Sequence, residues 1–324
     1  APMAIQTEMA AMIQMLLVMR RNGQRFSAEE IQARIGAGPS ARQTASSANI
    51  AVIPVIGVIM HRMELMSDIS SSGTAPDMLA RAFRAAVADP NVSAIVLDID
   101  SPGGTVFGLM ELGDEIRAAR GKKPVVAVAN GIAASAAYWI GSQAEEFVVT
   151  PSGQVGSIGV VSMHENLSKM LENEGIEVTL IHSSKYKVEG NPFGPLDAEA
   201  REAIKADVDA YDGLFVRAGA KGRGVSVEKV RSEFGMGRMV MANDAAARGM
   251  VDGVETFDQV IARLMKPKRA ALTGTAAEAL PIAPVAEATI EAPVDASAIV
   301  PSADYYRSRV AIAKRKGAEH GVPA

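Results

Sequence analysis

The chain has 324 residues, of which 48% are apolar and only 4% aromatic, so it can bury a large core of mainly aliphatic side chains. Its formal net charge of −4 argues against a nucleic-acid-binding protein, which would normally present a basic face. The absence of cysteine excludes thiol nucleophiles, disulfides and thiolate zinc sites.

Residues 1–48 are predicted to form a helical arm followed by a polar linker. The apolar stretch Met9–Met19 has about half of the roughly 20 residues that a membrane span needs. The basic pair Arg20-Arg21 follows this stretch, whereas a signal peptide has its positive charge first. We therefore expect an amphipathic helix here, a second short helix from Ser27, and no membrane-spanning segment in the chain.

Residues 49–266 are predicted to form one α/β domain, because short apolar runs alternate with amphipathic stretches. This alternation predicts mainly parallel sheets wrapped by helices, with sites at the carboxyl ends of the strands. Pro54 places the first strand at an edge or a bulge. Strand patterns cover residues 50–59, 94–100, 124–129, 147–149, 155–162, 177–182 and 250–254. Helix patterns cover residues 75–88, 107–120, 135–141, 166–175, 197–221, 227–233 and 243–248, and a last helix ends near residue 264.

Residues 267–324 differ from the domain in composition. Residues 270–302 are rich in Ala, Pro, Thr, Val and Glu without a sustained apolar period, which is typical of a flexible tail. Tyr305–Lys316 carries five basic residues in a short helical pattern. We interpret this end of the chain as a flexible tail with a solvated basic helix, and a docking peptide is the alternative.

A serine among small residues is the first candidate for chemistry. Ser135 follows an apolar strand pattern and opens an Ala-rich helix, where the positive field of the helix N-terminus favours a nearby anion. The plain alternative is a serine that only caps the helix. Acyl transfer also needs N–H donors for the oxyanion, each worth about 3–4 kcal/mol of barrier. The N–H groups of Gly103, in Asp100-Ser-Pro-Gly-Gly104, and of Ala136 could form such a pair.

A serine nucleophile needs a base, and the residues leave two kinds of candidate open. His164 follows the glycine-rich stretch Val155–Gly159 and is a candidate for a Ser-His arrangement. Lys185 and Lys187 flank Tyr186 in a loop that continues into Gly- and Pro-rich sequence. A lysine serves as general base only where burial lowers its pKa enough to leave it neutral.

Together these segments resemble the signal peptide peptidase A / protease IV family of serine peptidases, whose catalytic domain is related to the Clp protease and crotonase fold. The resemblance covers about residues 50–264 and depends on four motifs in order. They are Asp98-Ile-Asp-Ser-Pro-Gly-Gly104, Ala133-Ala-Ser-Ala-Ala-Tyr138, Val155-Gly-Ser-Ile-Gly-Val160 and Ser184-Lys-Tyr-Lys-Val-Glu-Gly-Asn-Pro-Phe193.

The resemblance implies a catalytic Ser-Lys dyad of Ser135 and Lys187, with no metal and no cofactor. It places the oxyanion donors at Gly103 and Ala136, and it implies that substrate binds along four further residues, Gly104, Gly156, Ser157 and Ile158. The chain has Ala136-Ala137 where the family usually has Gly-Gly, and Val188 where it often has Asp. These departures concern the fit of substrate, since no catalytic atom is missing. The resemblance to Clp proteases also leaves an alternative with the same fold, in which His164 is the base and acts with Asp98 or Asp100.

The resemblance also implies a biological setting. Cellular members typically carry a membrane anchor, whereas this chain has one catalytic domain and an Ala/Pro-rich tail, like the phage-encoded head maturation proteases. We therefore expect cleavage of capsid or scaffold proteins in the host cytoplasm, by a homo-oligomeric ring that binds no nucleic acid. The alternatives are degradation of peptides, as by a signal peptide peptidase, and an assembly or scaffold protein with a vestigial peptidase fold.

Overall fold

The computed structural model describes residues 3–5, 49–61 and 73–266. The strands are β1 (Met3–Ile5), β2 (Ile50–Ile56), β3 (Val58–Ile59), β4 (Gly73–Thr74), β5 (Ala94–Ser101), β6 (Gly103–Thr105), β7 (Val125–Ala134), β8 (Glu146–Val149), β9 (Gln154–Gly156), β10 (Met239–Met241) and β11 (Gly253–Val254). The helices are α1 (Pro76–Ala88), α2 (Leu109–Ala118), α3 (Ala136–Ser142), α4 (Ser168–Asn173), α5 (Ala198–Arg223), α6 (Val227–Glu233), α7 (Ala242–Arg248) and α8 (Phe257–Leu264).

The main sheet is largely parallel, as the alternation of strands and helices predicts. Its path runs β10-β9-β7-β5-β2, with β8 paired to β7 and β11 paired to β8. Only the β9–β10 pair is antiparallel among the pairs described in this sheet. The predicted α/β class, with mainly parallel sheets wrapped by helices, is therefore confirmed.

The two central strands, β5 and β7, are buried on both faces because each face is covered by side chains of other elements. Alternate residues of β5, such as Ile95 and Leu97, pack into the larger core with α1, α2 and α3. Residues of the other parity, such as Val96, pack with Val260 of α8 in a smaller core. Burial on both faces explains why these strands lack polar alternation in the sequence.

A second, smaller sheet lies beside the first and has the order β1-β6-β3-β4. β6 is parallel to β3, with Ile59 opposite Gly104, and antiparallel to β1. A Ser-Pro-Gly-Gly sequence such as that of residues 101–104 is typical of a tight turn, but here the chain continues from β5 directly into β6. β1 falls in the segment for which the sequence predicts a helical arm.

The position of Pro54 agrees with its sequence interpretation. Strand β2 pairs with β5 on one side, and among the described residues no strand pairs with its other side. A proline has no backbone N–H to donate, so it is tolerated where one edge of the strand has no ladder to complete.

Two predicted strands are wrong in whole or in part. The strand predicted for residues 155–162 corresponds only to β9, which ends at Gly156. Residues 177–182 form no strand, although Val178 and Leu180 alternate as a strand would require. Alternation specifies a strand only where a neighbouring edge accepts its backbone hydrogen bonds, and these residues lie exposed without such an edge.

Several sequence predictions fall on residues outside the described part of the chain. These are the amphipathic helix at Met9–Met19, the second short helix from Ser27, the polar linker, and the whole segment 267–324. Within the described ranges, no helix is both long and apolar enough to cross a membrane.

Helices α3 and α5 approach each other closely where glycine replaces a side chain. A Cβ placed on Gly222 of α5 would lie 2.2 Å from the Ser142 carbonyl oxygen at the end of α3. Arg120 fills the same junction and donates hydrogen bonds to the carbonyl oxygens of Ser142, Gln143 and Gly222. The contact matters for function because α3 begins at the candidate nucleophile.

Replacing Gly222 with Ala should lower the free energy of unfolding by about 1–3 kcal/mol, because the added methyl group overpacks this junction. The matched control is Gly219→Ala in the same helix, where the nearest atom to the new Cβ is Val230 Cγ1 at 3.9 Å. That change should stabilise the helix by up to about 1 kcal/mol. Urea unfolding of both variants measures the difference, and equal effects would contradict the close packing of α3 on α5.

Candidate active site

Ser135 occupies a strained junction between a strand and a helix. β7 ends at Ala134, α3 begins at Ala136, and Ser135 between them has φ 55° and ψ −116°. A non-glycine residue in such a conformation costs about 1–3 kcal/mol and persists only when its surroundings enforce it. The same kind of sharp strand-to-helix turn presents the nucleophile in α/β-hydrolases.

The side chain of Ser135 does not perform the capping role that is the plain alternative. It makes no capping hydrogen bond to the helix, although the residue holds the N-cap position of α3. Only 1% of the residue is exposed, and its buried Oγ has no hydrogen-bond partner among the described residues. A buried hydroxyl without a partner is costly, so its presence indicates a function other than stability.

The third glycine-rich motif holds this junction in place. The Ser135 N–H donates to the Gly156 carbonyl oxygen at 2.7 Å, and Ala134 pairs with Gly156 where β7 meets β9. Gly156 has φ 126° and Ser157 has φ 53°, while the Ser157 N–H donates to the Arg238 carbonyl oxygen. Ile158 is almost completely buried. Of the predicted substrate residues in this motif, Gly156 therefore contacts the serine directly, and Ser157 and Ile158 follow it in the chain.

The first glycine-rich motif also reaches the serine's helix, because β6 packs against α3. Gly103 has φ 95°, and its N–H donates to Ser101 Oγ at 3.1 Å. The Ser101 hydroxyl in turn donates to the Gly57 carbonyl oxygen at 2.6 Å. The predicted oxyanion donor at Gly103 thus has an internal acceptor in this structure, which sequence reasoning missed.

The structure also shows the surroundings of the other predicted donor, Ala136, and of the second glycine, Gly104. Ala136 is the first residue of α3, where backbone N–H groups have no acceptor within the helix. A Cβ on Gly104 would lie 1.7 Å from the Ile59 carbonyl oxygen. Close packing of β6 against β3 is therefore sufficient to require glycine at 104, apart from any role in binding substrate.

Lys187 is not brought to Ser135 within this chain. It lies exposed in a series of turns, and its ammonium makes no hydrogen bond or ion pair with any described residue. Because Ser135 Oγ also has no partner among those residues, the predicted dyad is not formed in the single chain. Within the surrounding segment, the Leu167 N–H donates to the Pro192 carbonyl oxygen.

Lys185, the other lysine candidate, is held in a different arrangement. Its ammonium donates to Glu199 at 2.7 Å and to the Tyr186 hydroxyl at 3.2 Å. The hydrogen bonds to Glu199 and Tyr186 raise the pKa of Lys185, so it remains protonated. These partners engage the Lys185 ammonium, whereas the Lys187 ammonium has no such partner among the described residues, which leaves Lys187 the more available candidate for a base.

The alternative base has other partners in the structure. His164 Nε2 lies 2.9 Å from the Asn191 carbonyl oxygen, and no bond joins it to Ser135 Oγ in the described part of the chain. The Asn130 side chain donates to the buried carboxylate of Asp98, and Asp100 accepts the Ile132 N–H. Partial burial and the nearby Asp98 raise the pKa of Asp100. Both aspartates thus hold the irregular part of β7 that leads to Ser135.

The fold and the site together define a class of protein. A mainly parallel sheet, a strained serine at a strand-to-helix junction and flanking glycine motifs are the features of a Clp-like serine peptidase domain. A family model for Clp protease matches residues 59–155, and a model for peptidase family S49 matches residues 117–271.

Relatives among known proteins agree with this class. The chain is 38% identical over 181 residues to capsid assembly protease C of Escherichia phage lambda, which is 56% of this chain and 41% of that protein. It is also 38% identical over 181 residues to the head-tail preconnector protein GP5 of Enterobacteria phage P21, which is 56% of this chain and 36% of that protein. The chain therefore spans less than half the length of these phage relatives.

A third relative is matched over most of its length. A putative protease of Synechocystis sp. is 32% identical over 214 residues, which is 66% of this chain and 72% of that protein. The chain belongs to peptidase family S49, the family of signal peptide peptidase A and protease 4. The resemblance found in its four motifs is confirmed.

Replacing Ser135 with Ala should raise the free energy of unfolding by about 1–3 kcal/mol, because it removes a buried hydroxyl without a partner. The matched control is Ser142→Ala at the other end of α3. That hydroxyl is equally buried but donates to Trp139 O and accepts from Gln143 Nε2, so its loss should destabilise. Thermal or urea unfolding gives both values, and destabilisation by Ser135→Ala would show that its hydroxyl is satisfied in solution.

Proposed function

We propose that this chain is a serine endopeptidase that uses a Ser135–Lys187 dyad and processes capsid or scaffold proteins in phage head assembly. The observation that carries the proposal is the buried, strained and unpaired hydroxyl of Ser135, placed between two glycine-rich segments. The similarity to a capsid assembly protease and to a head-tail preconnector protein supports the substrate class. The host cytoplasm would be the place of action.

In the proposed mechanism, neutral Lys187 accepts the Ser135 proton as Oγ attacks the peptide carbonyl carbon. The N–H groups of Ala136 and Gly103 stabilise the oxyanion, and for this Gly103 exchanges Ser101 Oγ for the substrate oxygen. Lys187 then gives its proton to the leaving amine as the peptide bond breaks. Water, deprotonated by the same lysine, hydrolyses the acyl-enzyme and restores the Ser135 hydroxyl.

This mechanism requires Lys187 to move from its exposed position to Ser135. We propose that a second copy of the chain completes the site, because the lysine's segment presents many apolar side chains to solvent and α4 buries no residue. Ile181 is 96% exposed. Apolar side chains in such numbers favour an interface. The exposed ones between residues 161 and 193 are Val161, Met163, Met170, Ile176, Val178, Leu180, Ile181, Tyr186 and Phe193.

The separation of Lys187 from Ser135 also favours a second candidate function. In that alternative the peptidase fold is vestigial and the chain is an assembly or scaffold protein. A serine-directed fluorophosphonate probe distinguishes the two candidates, since only an activated Ser135 reacts with it. Labelling that disappears in Ser135→Ala would support the peptidase, and absence of labelling in the unmodified protein would support the scaffold.

We expect Ser135→Ala and Lys187→Ala to lose about 10⁴-fold or more in kcat/KM on a peptide substrate. Lys185→Ala and His164→Ala should retain measurable activity, because neither residue is assigned the proton transfer. Trp139, the one tryptophan of the chain, stacks on Phe215 behind the serine, so its fluorescence verifies that α3 stays packed. An inactive His164→Ala alongside an active Lys187→Ala would transfer the role of base to the histidine.

Mixing the inactive Ser135→Ala and Lys187→Ala proteins tests whether the dyad forms between copies. If each site takes its serine and its lysine from different copies, random mixing restores about a quarter of the wild-type activity. Each protein alone is the control and should remain inactive. Mixtures that stay inactive while both proteins exchange subunits would show that serine and lysine come from one copy.

A further inference from the structure

One segment outside the candidate site pairs with a strand of that site. β1 runs antiparallel to β6, with Met3 opposite Thr105, Ala4 opposite Gly104 and Ile5 opposite Gly103. β3 pairs with β6 as well, so β1 covers the edge of β6 that β3 leaves open. Three residues of this chain therefore lie extended along the predicted oxyanion strand.

The edge covered by β1 is next to the nucleophile. β5 meets β7 at its carboxyl end, where Ser101 pairs with Ala133, and β6 begins two residues later. The helix that starts after Ser135 packs against β6. A peptide substrate must lie extended close to Ser135, and an exposed strand edge binds extended peptides through backbone hydrogen bonds.

We propose that Met3–Ile5 occupies the docking edge for substrate and that an extended peptide replaces it, running antiparallel to Gly103–Thr105 in the same register. This inference rests on the proposed peptidase function, of which it specifies the binding edge and its resident occupant. β1 has only three residues, which is short for a strand and allows a competing peptide to displace it.

The side chain of Thr105 supports a ligand at this edge. Its Oγ1 is buried and has no hydrogen-bond partner among the described residues, although β1 lies opposite. Buried polar atoms are normally paired, so β1 leaves unsatisfied a group that a bound peptide can satisfy. We infer that β1 is an incomplete substitute for the substrate.

A binding experiment that needs no catalysis tests this inference. The Ser135→Ala protein is prepared with and without residues 1–5, and a fluorescent peptide with the sequence of residues 1–6 is titrated into each while anisotropy is measured. The shortened protein should bind the peptide about tenfold more tightly or better, because the tethered competitor is absent. Hydrogen exchange should show the amides of Gly103–Thr105 protected by the peptide.

Two peptide variants provide the control. In an antiparallel strand, the backbone N–H groups of successive residues point alternately towards the partner strand and away from it. Proline at the Ala4 position and proline at the Ile5 position of the peptide therefore test both orientations. At least one of the two should weaken binding. If the shortened protein fails to fold, the full chain with Met3→Pro and Ala4→Pro replaces it, since these neighbouring changes must remove a ladder donor.

The outcomes separate this inference from the proposed function. Equal binding to both proteins, or no protection of Gly103–Thr105, would make β1 a permanent structural strand and overturn the inference. Tighter binding and protection in the shortened protein would support it, even if the protein with Ser135 intact hydrolysed no peptide. In that case the peptidase proposal alone would fail.

Discussion

The structure of the site depends on one hydrogen bond at one strained residue. Ser135 can hold a positive φ only because its N–H is fixed on the Gly156 carbonyl oxygen while the strand before it and the helix after it are buried. The pairing of β7 with both β5 and β9 supplies this rigidity. The strained conformation persists because the surrounding sheet and α3 allow no relaxed alternative.

The buried part of the site and the candidate base belong to different regions of the chain. The serine, the glycine strands and the first turn of α3 belong to the buried sheet, whereas the candidate base lies on an exposed segment that buries little. The match to peptidase family S49, over residues 117–271, includes both regions. In the proposed function, association of copies brings the base to the buried serine and so controls when the site becomes active.

The candidate base illustrates how local contacts discriminate between similar residues. Lys185 and Lys187 flank the same tyrosine and are equivalent in the sequence pattern. Glu199 accepts hydrogen bonds from Lys185 and from Tyr186, which raises the pKa of Lys185 and keeps it charged. The ion pair with α5 thereby engages one lysine and leaves the other without a partner among the described residues, a distinction that composition and spacing cannot provide.

The sequence by itself determined the α/β class, the central strands and the grouping of three motifs, because apolar periodicity and glycine spacing are local properties. It predicted β5 and β7 and placed Ser135 at a helix start. Only the tertiary structure decided that residues 177–182 form no strand, that Gly103 donates to Ser101, and that Met3–Ile5 pairs with β6. These features depend on which backbone edge or acceptor lies nearby in space, and contacts between distant parts of a chain leave no local pattern.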